Sequence, residues 1–349
     1  MSFDPNAPAL ADSGIFGLPF TEADAKLVYL PVPWEATTSY GGGTSEGPKA
    51  IVNASHQVDL FDLEVDKPYA AGLFMLPESE EVREWNARAK EQATYVIEHL
   101  GENSSDIDLA RTAVNEASER VNDFVRSETA RLLKAGKIVA IVGGDHSVPL
   151  GALQAVGTAV GEFGILHIDA HSDTRSAYEG FTYSHASIMH NVCERVPEMK
   201  KLVQVGIRDF CEEEFEYTRA AGDRVATFFD ARIQQAKLKG KPFQELAGAI
   251  VNALPKRVWV SFDIDGLDPR YCPHTGTPVP GGLELAEVLC LFREIVVSGR
   301  EIVGFDLNEV APNLNDPADE WDANVGARIL YKLTAYTLAS RKICRFSAE

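Results

Sequence analysis

Short apolar runs recur along this chain, separated by longer stretches in which apolar residues return every three or four positions. The runs are rich in β-branched residues and have no polar alternation, which is typical of strands buried on both faces. They predict seven strands, at Leu27–Leu30, Ile138–Val142, Ile165–Ile168, Leu202–Ile207, Val225–Phe229, Val258–Phe262 and Ile302–Phe305. Buried strands that alternate with amphipathic helices predict an α/β fold with a parallel sheet covered on both faces.

No linker-like stretch divides the chain, so one domain is predicted over residues 1–349. A helix is predicted over residues 324–340. The polar, Glu-rich stretch 78–108 is interpreted as a helical insertion. Residues 1–26 are interpreted as an N-terminal extension. One apolar stripe at helical spacing contains Leu109, Ala113, Ala117, Val121, Phe124, Val125 and Leu132.

Ligand-type side chains directly follow four of the predicted strands. In open α/β sheets, sites form beyond the carboxyl ends of the strands. Alternate residues of an extended chain project to the same side, so neighbouring side chains in each group converge. The four groups are Asp145 with His146, then Asp169 with His171 and Asp173, then Asp263 with Asp265, and finally Asp306 with Glu309.

These groups together predict a site for two divalent cations. Unpaired carboxylates at one place repel each other, and burying them costs several kcal/mol each. A carboxylate-rich set without thiols favours Mn²⁺ over a soft metal, and Ni²⁺, Co²⁺ and Zn²⁺ also accept the imidazoles. Taken singly, each short motif also has an ordinary explanation as a turn, a helix cap or a solvated strand end. The predicted ligands are His146, Asp169, His171, Asp173, Asp263 and Asp265.

Composition narrows the functional class. The 349 residues carry a net charge of −19, which disfavours nucleic acid and anionic membranes as partners and otherwise indicates only a well-solvated surface. Five cysteines without C-x-x-C spacing are typical of reduced thiols in the cytoplasm. The sequence shows neither a run of 18 apolar residues nor a signal-peptide pattern at its start, so a cytoplasmic location is expected.

Three motifs resemble those of the ureohydrolases, the family of arginases and agmatinases. They are GGDHS (143–147), DAHSD (169–173) and SFDIDGLDP (261–269), supported by TGTPVPGG (275–282) and GFDLNEVAP (304–312). The resemblance covers roughly residues 27–340. It implies a three-layer α/β/α arginase-like fold around an eight-stranded, mostly parallel sheet, a binuclear manganese centre, and a homo-trimer or homo-hexamer.

The resemblance also implies roles for individual residues. It places His146, Asp169, Asp173 and Asp263 around one metal, and Asp169, His171, Asp263 and Asp265 around the other. Asp173 would also orient the attacking hydroxide. Glu309 matches the carboxylate that pairs with a substrate guanidinium, whose forked donors a carboxylate meets well. His185 matches the histidine that passes a proton to the leaving amine.

The residues at the substrate-binding positions differ from those of arginases. The loop 174–184 has no Asn, and Cys211 stands where arginases have an Asp that grips the amino-acid end of arginine. Losing a charged partner costs about 2 kcal/mol or more, so arginine is disfavoured. The stretches GIFGLPF and TTSYGGGTSEGP resemble an agmatinase-type subgroup that includes guanidine hydrolases. Four side chains are candidates for shaping the substrate pocket, namely Arg175, Tyr178, Tyr183 and His274.

The function expected is therefore hydrolysis of a guanidino C–N bond of a small compound, either agmatine-like or free guanidine. A related hydrolase that acts on formimino compounds is the alternative within the same family. A non-catalytic metal-binding protein of the same fold and a single-zinc deacetylase are alternatives of other classes. His167, inside a predicted strand, is interpreted as a core histidine.

Overall fold

All seven predicted strands are present in the computed structural model of the protein, which describes residues 3–10, 13–38 and 40–347. An eighth strand of three residues was not predicted, because it is too short to show a pattern. The strands are β1 Leu27–Val32, β2 Leu73–Met75, β3 Ile138–Gly143, β4 Phe163–Ile168, β5 Met199–Ile207, β6 Val225–Phe229, β7 Arg257–Asp263 and β8 Glu301–Asn308.

The eight strands form one sheet in the order β2-β1-β3-β8-β7-β4-β5-β6, and every neighbouring pair is parallel. The prediction of a mostly parallel eight-stranded sheet is confirmed. The four strands that carry ligand-type side chains at their ends are neighbours in the middle of the sheet, in the order β3-β8-β7-β4. Their carboxyl ends therefore meet along one edge.

Ten α-helices cover the sheet within the described residues. They are α1 Gly47–Ser55, α2 Glu80–Glu98, α3 Ser105–Lys134, α4 Leu150–Val160, α5 Ile188–Arg195, α6 Glu212–Ala220, α7 Asp230–Leu238, α8 Phe243–Asn252, α9 Leu285–Val297 and α10 Trp321–Ser340. The last contains the helix predicted over 324–340. None of the described helices has the length and apolarity that crossing a membrane requires.

Two hydrophobic cores, one on each face of the sheet, define three layers. Buried side chains of α1, α8, α9 and α10 form one core, represented by Ile51, Ile250 and Leu330. Helices α3, α4 and α5 form the other, represented by Val121 and Val192. The three-layer α/β/α arrangement is confirmed, and it buries both faces of the strands as their continuous apolar runs predict.

The predicted stripe on α3 is wrong in its first half. Leu109 is 67% exposed, whereas Ala110 and Val114 are buried against the neighbouring α2. The second half of the stripe is right, since Val121 and Val125 are buried. The buried face also contains Ser118 and Thr129, and two polar residues on it obscured the true period.

The N-terminal extension over 1–26 and the insertion over 78–108 stay predictions. Helix α2 lies within the stretch 78–108 that was interpreted as an insertion. In the described part of the N-terminal extension, Ile15, Phe16 and Leu18 are buried in the core that contains α1 and α10.

Candidate metal centre and substrate cavity

The first cluster of ligand-type side chains surrounds His146, which follows β3. The Nδ1 atom of His146 lies 3.0 Å from Asp169 Oδ2, 3.2 Å from Asp263 Oδ2 and 3.4 Å from Asp173 Oδ2. All four side chains are buried. Three strand ends therefore direct three carboxylates and one imidazole nitrogen to the same point.

The second cluster surrounds His171. Its Nδ1 atom lies 3.0 Å from Asp265 Oδ2 and 3.5 Å from Asp169 Oδ1. Asp169 thus gives one carboxylate oxygen to each cluster. Two adjacent ligand groups that share a carboxylate are the donor arrangement suited to a pair of divalent cations.

Backbone N–H groups fix the orientation of these carboxylates. Asp169 Oδ1 accepts from the N–H of His171 at 2.6 Å, and Asp265 Oδ1 accepts from the N–H of Ala170 at 3.0 Å. Asp263 Oδ1 accepts from the N–H of Asp265 at 2.9 Å. Each carboxylate keeps its other oxygen, or a further lone pair, for the clusters.

The electrostatics of the clusters favour added positive charge. Burial raises the pKa of Asp173 and of Asp263 well above the usual range. The neighbouring charge of Asp169 raises both values further, and that of Asp265 adds to the effect on Asp263. Burial alone would lower the pKa of His146, but its hydrogen bonds to Asp169 and Asp263 outweigh burial and raise it. The donor set therefore attracts cations strongly, whether protons or metal ions.

A chain of side chains behind His146 holds its ring in place. His146 Nε2 lies 2.9 Å from Ser261 Oγ, and the Ser261 hydroxyl donates to Asp306 Oδ1 at 2.8 Å. The indole N–H of Trp259 and the amide of Asn308 also donate to Asp306. Because the Ser261 hydroxyl donates to Asp306, its oxygen is available to accept a hydrogen bond from His146 Nε2. Asp306 is thus a buried supporting group rather than a solvated strand end.

The interpretation of His167 as a simple core residue is incomplete. The side chain is fully buried, but its Nε2 lies 2.8 Å from Asp169 Oδ2 and its Nδ1 lies 3.2 Å from the Gln204 amide. His167 is close enough to His146, Asp169 and Asp173 to belong to the first cluster. The alternation that joins Asp169, His171 and Asp173 begins two residues earlier, at His167. This spacing was the sequence signal that His167 lies on the same side as the ligands.

Two residues at the site have left-handed backbone conformations. Asp173 has φ +55° and Glu309 has φ +62°, a region that residues other than glycine seldom occupy. Strained conformations of this kind persist where surrounding contacts hold them, and they concentrate at functional sites. Glu309 is held by its Oε1, which accepts the N–H of His146 at 2.8 Å, and by its carbonyl, which accepts from Thr275 Oγ1 at 2.8 Å.

A cavity of about 180 Å³ opens beside the second cluster. The side chains that line it include those of His171, Asp173, His185, Arg175 and Tyr178. Burial lowers the pKa of His185 to about 4, and positive charge on the neighbouring histidines lowers it in the same direction. His185 is therefore a neutral imidazole at pH 7.

The side chains that line this cavity include positively charged, negatively charged and aromatic groups. The Arg175 guanidinium lies 5.0 Å from the centre of the Tyr178 ring, and its Nε lies 3.6 Å from Glu214 Oε2. Asp209 and Phe210 complete the wall on the side of β5. The cavity thus offers flat surfaces and carboxylates to a small polar molecule.

Two of the candidate pocket residues do not line the cavity. The Tyr183 hydroxyl donates to Glu119, and its ring packs against Arg195. The imidazole of His274 is held by Asp322, with Nδ1 2.8 Å from Oδ2, at the start of α10. These two side chains, like that of Glu309, are not among those that line the cavity, and their contact with substrate stays a prediction.

The sequence model of the arginase family matches residues 25–335, and the chain belongs to this family of ureohydrolases. The N(1)-aminopropylagmatine ureohydrolase of Thermus thermophilus is 37% identical over 290 residues, which cover 83% of this chain and 84% of that protein. The protein of the same name from Synechocystis is 30% identical over 317 residues, 90% of each chain. The agmatine ureohydrolase structure of Thermoplasma volcanium matches with a TM-score of 0.73 and 25% identity, covering 96% of this chain and 97% of that one. The predicted family and its fold are confirmed.

Proposed function

We propose that the protein is a binuclear metal-dependent hydrolase that cleaves a guanidino C–N bond of a small guanidino compound. Water adds to the guanidino carbon, the C–N bond breaks, and urea and an amine or ammonia leave. The observation that carries this proposal is the pair of ligand clusters that share Asp169, one oxygen to each.

The residues present fit two divalent cations. His146, Asp169, Asp173 and Asp263 would hold one ion, and Asp169, His171, Asp263 and Asp265 the other. Buried carboxylates outnumber the imidazoles in the two clusters, and bound cations would balance their negative charge. Bound cations supply positive charge that makes water nucleophilic at neutral pH. Oxygen and imidazole donors without thiols favour Mn²⁺, with Ni²⁺ as the alternative.

Glu309 would bind and orient the guanidinium. One of its oxygens is occupied by the N–H of His146, which leaves Oε2 for a substrate donor. A carboxylate and a planar guanidinium form short, charge-assisted hydrogen bonds. The position of this carboxylate beside His146 would bring the guanidino carbon next to the metal ligands.

His185 and Asp173 would handle the protons. Asp173 would accept a hydrogen bond from the attacking water and orient it. The neutral imidazole of His185, in the same cavity wall, would accept the proton that the attacking water gives up and deliver it to the leaving nitrogen, which departs as an amine or as ammonia. The net change is one water consumed for each urea released.

The substrate would be agmatine-like or free guanidine. The volume of about 180 Å³ suits a small molecule, and the Tyr178 and Arg175 pair would line its path. Cys211, at the start of α6, offers no carboxylate for an α-amino group, which disfavours arginine. The names of the relatives in Thermus and Synechocystis support a guanidino compound with an amine tail.

The alternatives keep the same fold. A formimino-compound hydrolase would release formamide, and a non-catalytic metal-binding protein would turn nothing over. The broader expectations are a cytoplasmic homo-trimer or homo-hexamer that binds neither nucleic acid nor membrane.

The test is urea release by protein loaded separately with Mn²⁺ and Ni²⁺, offered agmatine, guanidinobutyrate, guanidinopropionate, arginine and guanidine. Release from one compound, but not from arginine, supports the proposal and identifies the metal. Formamide release from a formimino compound, with no urea from any guanidine, would replace it with the alternative hydrolase.

A further inference from the structure

A buried carboxylate outside the metal clusters organises the glycine-rich loop after β1. Glu35 Oε2 accepts the backbone N–H groups of Gly43 at 2.7 Å and Ser45 at 2.9 Å, and the Thr44 hydroxyl at 3.2 Å. Its other oxygen forms an ion pair with Lys90. Burial raises the pKa of Glu35, but Lys90 and these N–H groups outweigh burial and leave the pKa below its ordinary value.

Helix α2 supplies two of the contacts that hold this segment. Lys90 reaches the Glu35 carboxylate, and Asn86 Oδ1, one helical turn earlier, accepts the backbone N–H of Glu35 at 2.7 Å. Glu35 is therefore held at its backbone and at its side chain by the same helix. Because the same carboxylate accepts from Gly43, Thr44 and Ser45, the loop is hydrogen-bonded to a side chain that α2 holds in place.

The loop in turn packs over the residues that surround Glu309. Gly41 has φ +70°, and a Cβ built on it would lie 2.7 Å from the carbonyl oxygen of Gly276. A Cβ built on Gly276 would lie 3.7 Å from Glu309 Oε2 and 3.5 Å from the carbonyl oxygen of Tyr40. Gly276 thus separates the loop from the free oxygen of Glu309. Next along the chain, Thr277 lines the cavity.

We propose that Lys90 and Glu35 are positioning residues that set substrate affinity by fixing loop 40–45 over the Glu309 carboxylate. The proposal rests on the proposed function, since it assigns the loop to the guanidinium end of that site. Neither residue contacts the metal clusters. Loss of the ion pair therefore weakens substrate binding and leaves metal content and the chemical step unchanged.

The control is a second lysine with the same environment. Lys332 on α10 pairs with Asp62, whose carboxylate also accepts two backbone N–H groups. The lysine side chains are 39% and 32% exposed and their carboxylates 5% and 1%, so the two pairs are closely matched. Neither Lys332 nor Asp62 lines the substrate cavity.

The experiment compares Lys90→Met, Lys90→Arg and Lys332→Met in the metal-loaded protein. For Lys90→Met we expect KM to rise about tenfold with kcat within about twofold of the parent and with unchanged metal content, the signature of lost binding. Lys90→Arg keeps the charge and restores most of the affinity. Lys332→Met leaves KM unchanged. An unchanged KM in Lys90→Met, or an equal rise in Lys332→Met, would overturn the proposal.

Hydrogen exchange distinguishes this proposal from the proposed function. If the parent protein releases no urea from any guanidino compound, the proposed function fails and the assignment of the loop to that substrate fails with it. Whether or not the parent is active, residues 40–46 should exchange faster in Lys90→Met than in Lys332→Met. Equal exchange in the two variants would show that the ion pair does not hold the loop.

Discussion

The carboxylate of Glu309 accepts the backbone N–H of His146 at 2.8 Å, although 163 residues separate them. Strands β3 and β8 are neighbours in the sheet, with Ala140 opposite Phe305, and this brings their carboxyl ends together. The bond ties the candidate substrate carboxylate to the candidate metal ligand. One Glu309 oxygen is thereby used within the protein, and the other is the one proposed to bind a substrate.

Glu309→Gln should reduce kcat/KM by about 10²-fold or more, because truncating one partner of a buried charge pair costs about 2–5 kcal/mol. The amide oxygen of Gln can still accept the N–H of His146, so metal content should remain at the parent level. Steady-state urea release and elemental analysis of the same preparation measure both. A variant with parental kcat/KM would remove Glu309 from substrate binding.

His171→Ala should lower the bound metal from two ions per chain to one, because His171 belongs to the second cluster only. Asp169→Ala should lose both, since its two oxygens serve the two clusters. Asp209→Ala, beside the same cavity, is the control and should keep two. Metal analysis after dialysis gives the ratios, with circular dichroism to confirm folding. Two ions retained in His171→Ala would contradict the binuclear assignment.

Ser261→Ala should weaken metal binding about 10- to 100-fold, the usual cost of removing a supporting partner of a metal-binding histidine. The substitution breaks the link between His146 Nε2 and Asp306 while it leaves every predicted ligand in place. Metal titration measures the affinity, and activity at saturating metal should recover. Parental affinity in Ser261→Ala would mean that this link does not tune the centre.

His185→Asn should lower kcat by about 10²- to 10⁴-fold, the range for loss of a general acid or base, with a smaller change in KM. Asn fills similar space and hydrogen-bonds but does not exchange protons near neutral pH. Added imidazole should restore part of the rate if a proton carrier is what has been lost. A full rate in His185→Asn would assign proton transfer to another group.

The sequence by itself determined the strands, the family and the candidate ligands, because each of these depends on local pattern. Apolar runs mark buried strands, and the alternation through Asp169, His171 and Asp173 places three side chains on one side of an extended chain. The apolar stripe on α3 was misjudged in its first half, because Ser118 and Thr129 lie on the buried face, and the three-residue β2 was missed.

The tertiary structure decided which groups meet. Strand order places β3, β8, β7 and β4 side by side, and no local pattern contains that order. The contacts of Asp306 and His167 behind the ligands, and the departure of Tyr183 and His274 from the cavity, depend on side-chain packing and on loop paths. These arise from contacts between residues far apart in the chain, whose free energy is set only when the whole sheet has assembled.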